Sequence, residues 1–379
     1  MAASHIGSLK KSLAPLKDPR VRRRTQHRLF DILIIAICAV IADCDDWQAI
    51  VLFAKERETW FKRFLSLPNG IPSHDTFERV FTKINARVFQ ECCLQWLKDV
   101  SGLIGVKHMA IDGKTLRGSK RGKLHALHLV SAWATQAEIT LGQVDVDGKS
   151  NEITAIPKLL ELLDVKGALV SIDAMGCQKE IAAQIVEGGG DYLLAVKGNQ
   201  EHLLADIQAT VTRALDGQLP SDAVEESTTR TADHGREEKR WCMVIQNLEE
   251  IRDRDAWKKL KSVVMCSYEC TEKGRTTTEV RYFISSRKLS SRQCAKGMRG
   301  HWEIENGLHW QLDVSFGEDA SRISDRQRAE GFAMLRKVAL CLLAQNPEEI
   351  SIAKKRQKAA LNTAFLAEVI AGIEKVANV

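Results

Sequence analysis

The sequence predicts an α/β fold in which a sheet with flanking helices follows an all-helical N-terminal segment. Three observations support this prediction. Apolar residues recur at the helical period through residues 27–103. From about residue 104 the pattern changes to short, strand-like runs, and beyond residue 155 these runs alternate with helical segments. With 379 residues, the chain is long enough for two or three domains.

The composition is that of an ordinary globular protein with a mildly basic charge. Hydrophobic residues make up 44% of the chain and charged residues 27%. The net charge of +6 permits a nucleic-acid partner without requiring one. The ten cysteines lie mostly in apolar runs and form no CxxC pair, so we expect buried thiols in a reducing compartment and no zinc-ligand spacing.

The sequence offers no candidate for a membrane anchor. Residues 1–15 are polar, unlike the apolar core of a signal peptide. The longest apolar run, residues 32–42, contains 11 residues and is too short to span a bilayer. We therefore expect a buried helix there, no membrane partner and a cytoplasmic location.

Residues 1–103 are predicted to form a helical N-terminal domain with a basic arm. The arm, residues 17–28, is either a solvated charge run or a contact to a phosphate backbone. Asp45 has capping-box spacing for one helix, and Asn85 is placed to cap another. Short helices behind a basic arm suit a DNA-binding domain and a packing domain equally.

Residues 104–345 are predicted to form the α/β domain. Residues 346–379 are predicted to form a helical tail, and its Lys-Lys-Arg run is expected to be exposed to solvent. The first strand, residues 106–112, ends with Asp112 in a basic turn that contains Lys114, Arg117, Lys120 and Arg121. Residues 217–290 are predicted to be a β-rich insertion with a hairpin turn at Gly274. The element order outside the insertion, β-β-β-α-β-α-β-α, is that of a ribonuclease-H-like fold.

Three acids stand out in this arrangement. Asp112 and Asp173 end the first and fourth strands, which are neighbours in that topology, and Glu305 lies on a helix predicted over 301–312. Glu305 beside Trp302 and Trp310 would be costly to bury unless it were paired or bound to a metal. Three converging carboxylates repel one another unless cations lie between them, whereas a two-metal Mg²⁺ site would use all three. Three unrelated acids are the alternative.

Two other ligand sets are possible. His301, Glu305 and His309 share four-residue spacing that could present zinc ligands on one helix, although this spacing differs from H-E-x-x-H. Asp313, Glu318 or Asp319 could replace Glu305 as the third acid. Their predicted position in a loop after the helix makes this alternative weaker.

Five segments, in fixed order over nearly the whole chain, resemble the DDE transposases of bacterial insertion sequences. The resemblance is closest to the H-repeat-associated transposase family. The segments are LPNGIPSHDTFERVF (67–81), AIDGKTLRGS (110–119), IDAMGCQKEIAAQIVEGGGDYLLAVKGNQ (172–200), YFISS (282–286) and HWEIENGLHWQLDVSFGEDASR (301–322).

This resemblance implies a DNA transposase whose catalytic and metal-binding triad is Asp112, Asp173 and Glu305. It implies two Mg²⁺ ions, with Mn²⁺ able to substitute, and phosphodiester hydrolysis followed by strand transfer at the element ends. Lys114, Arg117 and Lys197 would position phosphates. The implied partner is double-stranded DNA, bound by a homodimer in the nucleoid.

The sequence departs from the Tyr-Arg-Glu-Lys signature that related transposases carry about the catalytic Glu. His301 stands where the Arg is expected, and Leu312 stands where the Lys is expected. Substitutes for their DNA contacts are His301, Asn306, His309 and Lys197. The alternative function is a catalytically inactive, transposase-derived DNA-binding protein.

Overall fold

A computed structural model describes residues 2–21, 23, 25–101, 105–120, 126–146, 152–233 and 236–371. Arg121, from the predicted basic turn, lies outside these ranges, as do Arg22 and Arg24 of the basic arm. All ten cysteines are buried with free thiols, which confirms the expectation from their apolar surroundings. Within the described ranges, every helix is too short or too polar to cross a bilayer.

The N-terminal part is helical, as its apolar period predicts. Its helices are α1 (Ala2–Ser12), α2 (Leu29–Ile41), α3 (Trp47–Glu56), α4 (Glu58–Phe61), α5 (His74–Lys83) and α6 (Ala86–Ser101). Asn85 accepts a hydrogen bond from the backbone N–H of Val88 at 3.0 Å, as its capping position predicts. The predicted cap at Asp45 is wrong, because Asp46 caps α3 through the N–H of Ala49.

One mixed sheet of nine strands forms the centre of the protein. The strands are β1 (His108–Leu116), β2 (Leu127–Ala134), β3 (Ile139–Val146), β4 (Leu169–Ile172), β5 (Asp191–Val196), β6 (Val224–Asp233), β7 (Arg236–Ile245), β8 (Ser262–Glu272) and β9 (Arg275–Ser285). Their order is β3-β2-β1-β4-β5-β9-β8-β7-β6. Helices α7 (Glu152–Leu160), α8 (Lys179–Glu187) and α9 (Glu201–Leu215) connect its strands. The α/β prediction is therefore confirmed.

The first and fourth strands are parallel neighbours in this sheet. Ile111 of β1 lies opposite Ile172 of β4, so the residues that follow them, Asp112 and Asp173, lie at corresponding positions. The prediction that β1 ends at Asp112 is wrong. Antiparallel pairing with β2 continues as far as Leu116, which places Lys114 in the strand and not in a turn.

The predicted β-rich insertion extends the same sheet. Strand β9 pairs antiparallel with β5, and β8, β7 and β6 continue outward from it. Gly274 joins β8 to β9 with φ +74°, a left-handed conformation that glycine adopts without strain, and this confirms the predicted hairpin turn. The insertion therefore continues the sheet beyond β5 and lengthens the surface next to β4 and β5, where the site lies.

The C-terminal part returns to helix. Its elements are α10 (Ser291–Glu303), a π-helical turn (Ile304–His309), α11 (Trp310–Val314), α12 (Arg326–Gln345), α13 (Ile352–Leu361) and α14 (Thr363–Ala371). The predicted helix over 301–312 is thus interrupted by the π turn. Helix α12 packs against α2, α5 and α6, and α1 packs against α14. Helices from both ends of the chain consequently share one hydrophobic core.

The Lys-Lys-Arg run on α13 is not the solvated face that its charge predicts. Lys354 is exposed, whereas Lys355 and Arg356 are buried. The Lys355 amine donates to the carbonyls of Leu343 and Asn346 at the end of α12, where helical carbonyls lack internal partners. These bonds attach α13 to the end of α12.

Arg356 joins α13 to the N-terminal helices. Its guanidinium forms ion pairs with Asp45 at 2.8 Å and Asp43 at 3.0 Å, both in the segment after α2. The same group stacks on the ring of Phe316 at 4.1 Å. Asp45 therefore serves this ion pair rather than the predicted helix cap.

Arg356→Ala should lower the free energy of unfolding by about 2–4 kcal/mol, because it empties a buried position and leaves the carbonyls of Val40 and Ser315 without their donor. Lys354→Ala, on the exposed face of the same helix, should change it by less than about 0.5 kcal/mol. Urea unfolding followed by circular dichroism measures both. Equal effects of the two substitutions would contradict the role assigned to Arg356.

Candidate active site

Asp112 and Asp173 are fixed by the backbone of neighbouring strands. Asp112 lies within β1, and its side chain is 14% exposed. Asp173 follows β4, and its Oδ1 atom accepts hydrogen bonds from the N–H groups of Met175 at 3.1 Å and Gly176 at 3.3 Å. These bonds orient the Asp173 carboxylate at the start of the loop before α8.

Glu305 reaches the same region because α10 lies unusually close to the sheet. A Cβ atom on Gly300 would lie 2.6 Å from His108 Nδ1, and one on Gly297 would lie 3.1 Å from Leu193 Cδ2. Glycine at both positions allows the close approach, and the π turn that follows presents Glu305 to Asp112. Glu305 itself is exposed, so the expected cost of burying it is absent.

The acids lie close enough to repel one another. Burial raises the pKa of Asp112 to about 8, and the charges of Glu305, Asp173 and Glu152 add to this, while the Gly113 amide opposes it. Burial also raises the pKa of Asp173, and Glu152 adds to the effect. Carboxylate oxygens that are costly to ionise together suit a hard divalent cation, so the donor set fits Mg²⁺ or Mn²⁺.

His309 comes from the π turn and lies beside Asp112. One oxygen of Asp112, one of Glu305 and one nitrogen of His309 lie within 4.8 Å of one another. The His309 Nδ1 atom is 3.5 Å from Asp112 Oδ2. Burial, with contributions from the nearby cations Lys337 and Lys114, lowers the pKa of His309 to about 3, so its imidazole is neutral at physiological pH.

His301 belongs to a different hydrogen-bonded group. Its Nδ1 atom lies 3.2 Å from Ser171 Oγ, which also bonds His108 Nε2 at 2.9 Å. Among the described residues, the cluster with metal-ligand spacing contains His309 and omits His301. The alternative in which His301, Glu305 and His309 bind zinc is therefore not supported by the geometry.

Lys114 lies among three carboxylates. Its amine, on a side chain only 10% exposed, contacts Asp313 at 2.5 Å, Glu318 at 3.1 Å and Asp319 at 3.9 Å. Burial opposes its charge, but Glu318 and Asp313 together hold the pKa of Lys114 above its usual value. These contacts favour a structural role for Lys114 over a DNA contact. The same contacts hold Asp313, Glu318 and Asp319 beside Lys114. These three alternatives to Glu305 are therefore directed away from Asp112.

The other predicted DNA contacts remain accessible. Lys197 is exposed at the end of β5, and its charge acts on Asp173. The Arg117 side chain is 83% exposed and lies 3.5 Å from Asp319. Asn306 is exposed beside Glu305. His309 differs from them, because its side chain is 9% exposed.

A cleft of about 1450 Å³ runs from the three acids along the insertion strands and α10. Most of its basic side chains were not among the predicted DNA contacts, and these are Lys107, Arg281, Arg287, Arg292, Lys296 and Arg299. Residues 292, 296 and 299 form an exposed stripe at helical spacing on α10. That spacing, just before the Glu305 segment, was the signal available in the sequence.

Known proteins match the chain over most of its length. A family model described as Transposase DDE domain matches residues 106–342. The chain belongs to this DDE transposase family. A second model, described as DDE_Tnp_1-associated, matches residues 10–97. The resemblance noted in the sequence is thus confirmed.

Two relatives from Escherichia coli extend the similarity across the chain. The O157:H7 protein named "Putative transposase YncI" is 39% identical, over 98% of this chain and 96% of its own length. The strain K12 protein named "H repeat-associated putative transposase YhhI" is 37% identical, over 97% of this chain and 98% of its own length.

A solved structure gives a weaker match. The piggyBac transposase synaptic complex with hairpin DNA, solved by cryo-electron microscopy, aligns with a TM-score of 0.42 at 9% identity. The alignment covers 98% of this chain and 81% of that chain. A likeness at this level supports no conclusion about the site of this DDE transposase family member.

Asp112→Asn should raise the free energy of unfolding by about 1–3 kcal/mol at pH 8 in the presence of a chelator, because it removes a carboxylate that is costly to ionise. This cost of folding is absent below about pH 3, where Asp112 is protonated in both the folded and the unfolded chain, grows as the pH rises above the ordinary pKa of 3.8, and levels off above about pH 8. Differential scanning calorimetry across pH 4–8.5 measures it.

Two controls accompany the Asp112 measurement. Asp255→Asn, at an aspartate whose side chain is 99% exposed, should leave the melting temperature unchanged. Saturating Mn²⁺ should stabilise the unsubstituted protein more than Asp112→Asn. A lower melting temperature for Asp112→Asn at pH 8 in chelator would contradict the inferred repulsion.

Proposed function

We propose that this protein is a DNA transposase that cleaves phosphodiester bonds at the ends of its parent insertion sequence and transfers the freed strands to target DNA. The observation that supports this proposal is that Asp112, Asp173 and Glu305 line one cleft rich in Lys and Arg, and that the charges of Glu305 and Asp173 both act on Asp112. We assign the catalytic domain, residues 104–345, to the ribonuclease-H-like fold. The parallel pairing of β1 with β4 supports that assignment.

Asp112, Asp173 and Glu305 would hold the divalent cations. Such cations, when bound, promote the attack of a hydroxyl on phosphorus and neutralise the leaving oxygen. The chain's own contribution is positional. Backbone amides orient Asp173, the strand pairing fixes Asp112, and the close approach of α10 brings Glu305 beside Asp112.

The basic side chains of the cleft would hold the DNA backbone. Residues Arg292, Lys296 and Arg299 follow α10 towards Glu305, and Lys197 lies beside Asp173. A row of cations ending at an acidic cluster allows a duplex to be bound along its phosphates while one phosphate reaches the acids. Arg117 is accessible for a further phosphate contact.

The helical N-terminal domain would contribute to DNA binding through its basic arm, and we propose a homodimer that holds two element ends. The arm precedes α2, and Arg23 within it is exposed. Helix α1 and the segment that follows it lie before the arm and have a packing role, since Leu9, Leu13 and Leu16 are buried in the shared core. Substitutions within the arm therefore test it better than a deletion of the N-terminus.

Asp112→Ala, Asp173→Ala and Glu305→Ala should each reduce strand cleavage of element-end DNA by at least about 10³-fold with Mg²⁺ or Mn²⁺, while DNA binding persists. Gel analysis of labelled cleavage products measures activity, and mobility shift measures binding. Asp255→Ala is the matched control. Full cleavage by any of the three variants would refute the triad, and DNA binding without cleavage in the unsubstituted protein would favour an inactive DNA-binding protein.

Replacement of Arg22, Arg23 and Arg24 by Ala should weaken DNA binding and reduce the slope of log K against log salt by up to about 3, because each lost phosphate contact removes about 0.9. Fluorescence anisotropy between 50 and 300 mM salt measures the slope. Lys354→Ala, at an exposed lysine of α13, is the charge-removal control. An unchanged slope would exclude the arm from the DNA contact.

A further inference from the structure

His309 is a buried polar side chain whose ring nitrogens are poorly satisfied by the protein. Its side chain is 9% exposed, and its Nε2 atom has no hydrogen-bond partner among the described residues. Its Nδ1 atom faces Asp112 Oδ2 at 3.5 Å, at the outer limit of a hydrogen bond. Burying an imidazole in this way is costly unless one nitrogen has another partner.

An ion pair with Asp112 does not explain this arrangement. The cations Lys114 and Lys337 lie near His309 and disfavour a second positive charge there. Lys337 is itself buried and donates to Ser131 Oγ at 2.8 Å, so it remains in place beside the imidazole. A neutral imidazole carries a lone pair on one of its two ring nitrogens, and that nitrogen can bind a metal.

The spacing of the donor atoms fits a shared cation. Ligands about 2.1 Å from an ion are about 3 Å apart when adjacent and about 4.2 Å apart when opposite. The oxygens of Asp112 and Glu305 and the nitrogen of His309 lie within 4.8 Å of one another, so small side-chain movements would close the site. The π turn carries both Glu305 and His309, and such turns occur frequently at functional sites.

We propose that His309 provides a nitrogen ligand to the cation held between Asp112 and Glu305. The proposal rests on the proposed metal-dependent function and makes its two cation positions chemically different. A cation held by the carboxylates of Asp112 and Asp173 would have oxygen ligands alone, which suits Mg²⁺. The position completed by His309 offers two carboxylates and an imidazole, so it suits Mn²⁺, which accepts a nitrogen ligand more readily than Mg²⁺ does.

This role differs from the DNA contact predicted for His309 from the sequence. Its burial leaves little side-chain surface for a phosphate, whereas its Nδ1 atom faces a carboxylate of the candidate site. His301 provides an internal comparison. It lines the same cleft from α10, but its Nδ1 atom is directed at Ser171 Oγ.

Electron spin-echo envelope modulation of Mn²⁺ bound to the full-length protein tests the proposal. Less than one equivalent of Mn²⁺ in excess Mg²⁺ should show ¹⁴N modulation from a directly bound imidazole. Protein labelled with ¹⁵N-histidine should replace the ¹⁴N pattern with that of ¹⁵N, which identifies histidine without any substitution. Absence of nitrogen modulation in the unsubstituted protein would overturn the proposal.

Two variants assign the nitrogen. His309→Gln should abolish the modulation and weaken Mn²⁺ binding at least about tenfold, whereas His301→Gln should retain both. Circular dichroism and the melting temperature establish that each variant is folded. If His309→Gln does not fold, selective ¹⁵N labelling together with His301→Gln still tests the assignment. Modulation that persists in folded His309→Gln, or that vanishes in His301→Gln, would contradict it.

The metal measurement tests the His309 ligand and the DNA cleavage assay tests the proposed function, and either one can be rejected without the other. Cleavage that depends on Asp112 without nitrogen modulation would retain the proposed function and reject the His309 ligand. Nitrogen modulation without DNA cleavage would retain the ligand and reject the proposed activity.

Discussion

The candidate site depends on the parallel pairing of β1 with β4. Because Ile111 lies opposite Ile172, the residues that follow, Asp112 and Asp173, are carried to the same part of the sheet although 60 positions separate them in the chain. The hydrogen-bond ladder on the other side of β1 holds that strand through Leu116. A shift of one residue in the register would turn Asp112 to the opposite face and separate the two carboxylates.

The close packing of α10 against the sheet brings the third acid, Glu305, to the site. Glycine at 300 lets α10 approach β1 to a distance at which a Cβ atom would collide with His108, and glycine at 297 avoids a tight contact with Leu193 of β5. The π turn then places Glu305 and His309 together beside Asp112. The same helix directs its basic stripe into the cleft, so one element contributes both a candidate metal ligand and candidate phosphate contacts.

Charge is distributed differently inside and outside the site. Close to Asp112 in β1, Lys114 is enclosed by Asp313, Glu318 and Asp319, and farther along the chain Arg356 is paired with Asp43 and Asp45. The first group joins β1 to α11 and the segment after it, and the second joins α13 to the segment after α2. The acids of the site, by contrast, lack an adjacent Lys or Arg partner among their described ion pairs, and they are left to repel one another or to bind a cation.

The sequence alone determined the α/β class, the buried thiols, the resemblance to DDE transposases and the candidate acids, because each depends on local periodicity or on contiguous motifs. It did not determine which charged residues face solvent: Lys114, Lys355 and Arg356 are engaged inside the protein by groups from distant segments. Nor did it reveal that His309 lies beside Asp112 while His301 bonds Ser171. Those outcomes depend on strand register, on helix-to-sheet distance and on a π turn, which arise only when segments far apart in the chain pack together.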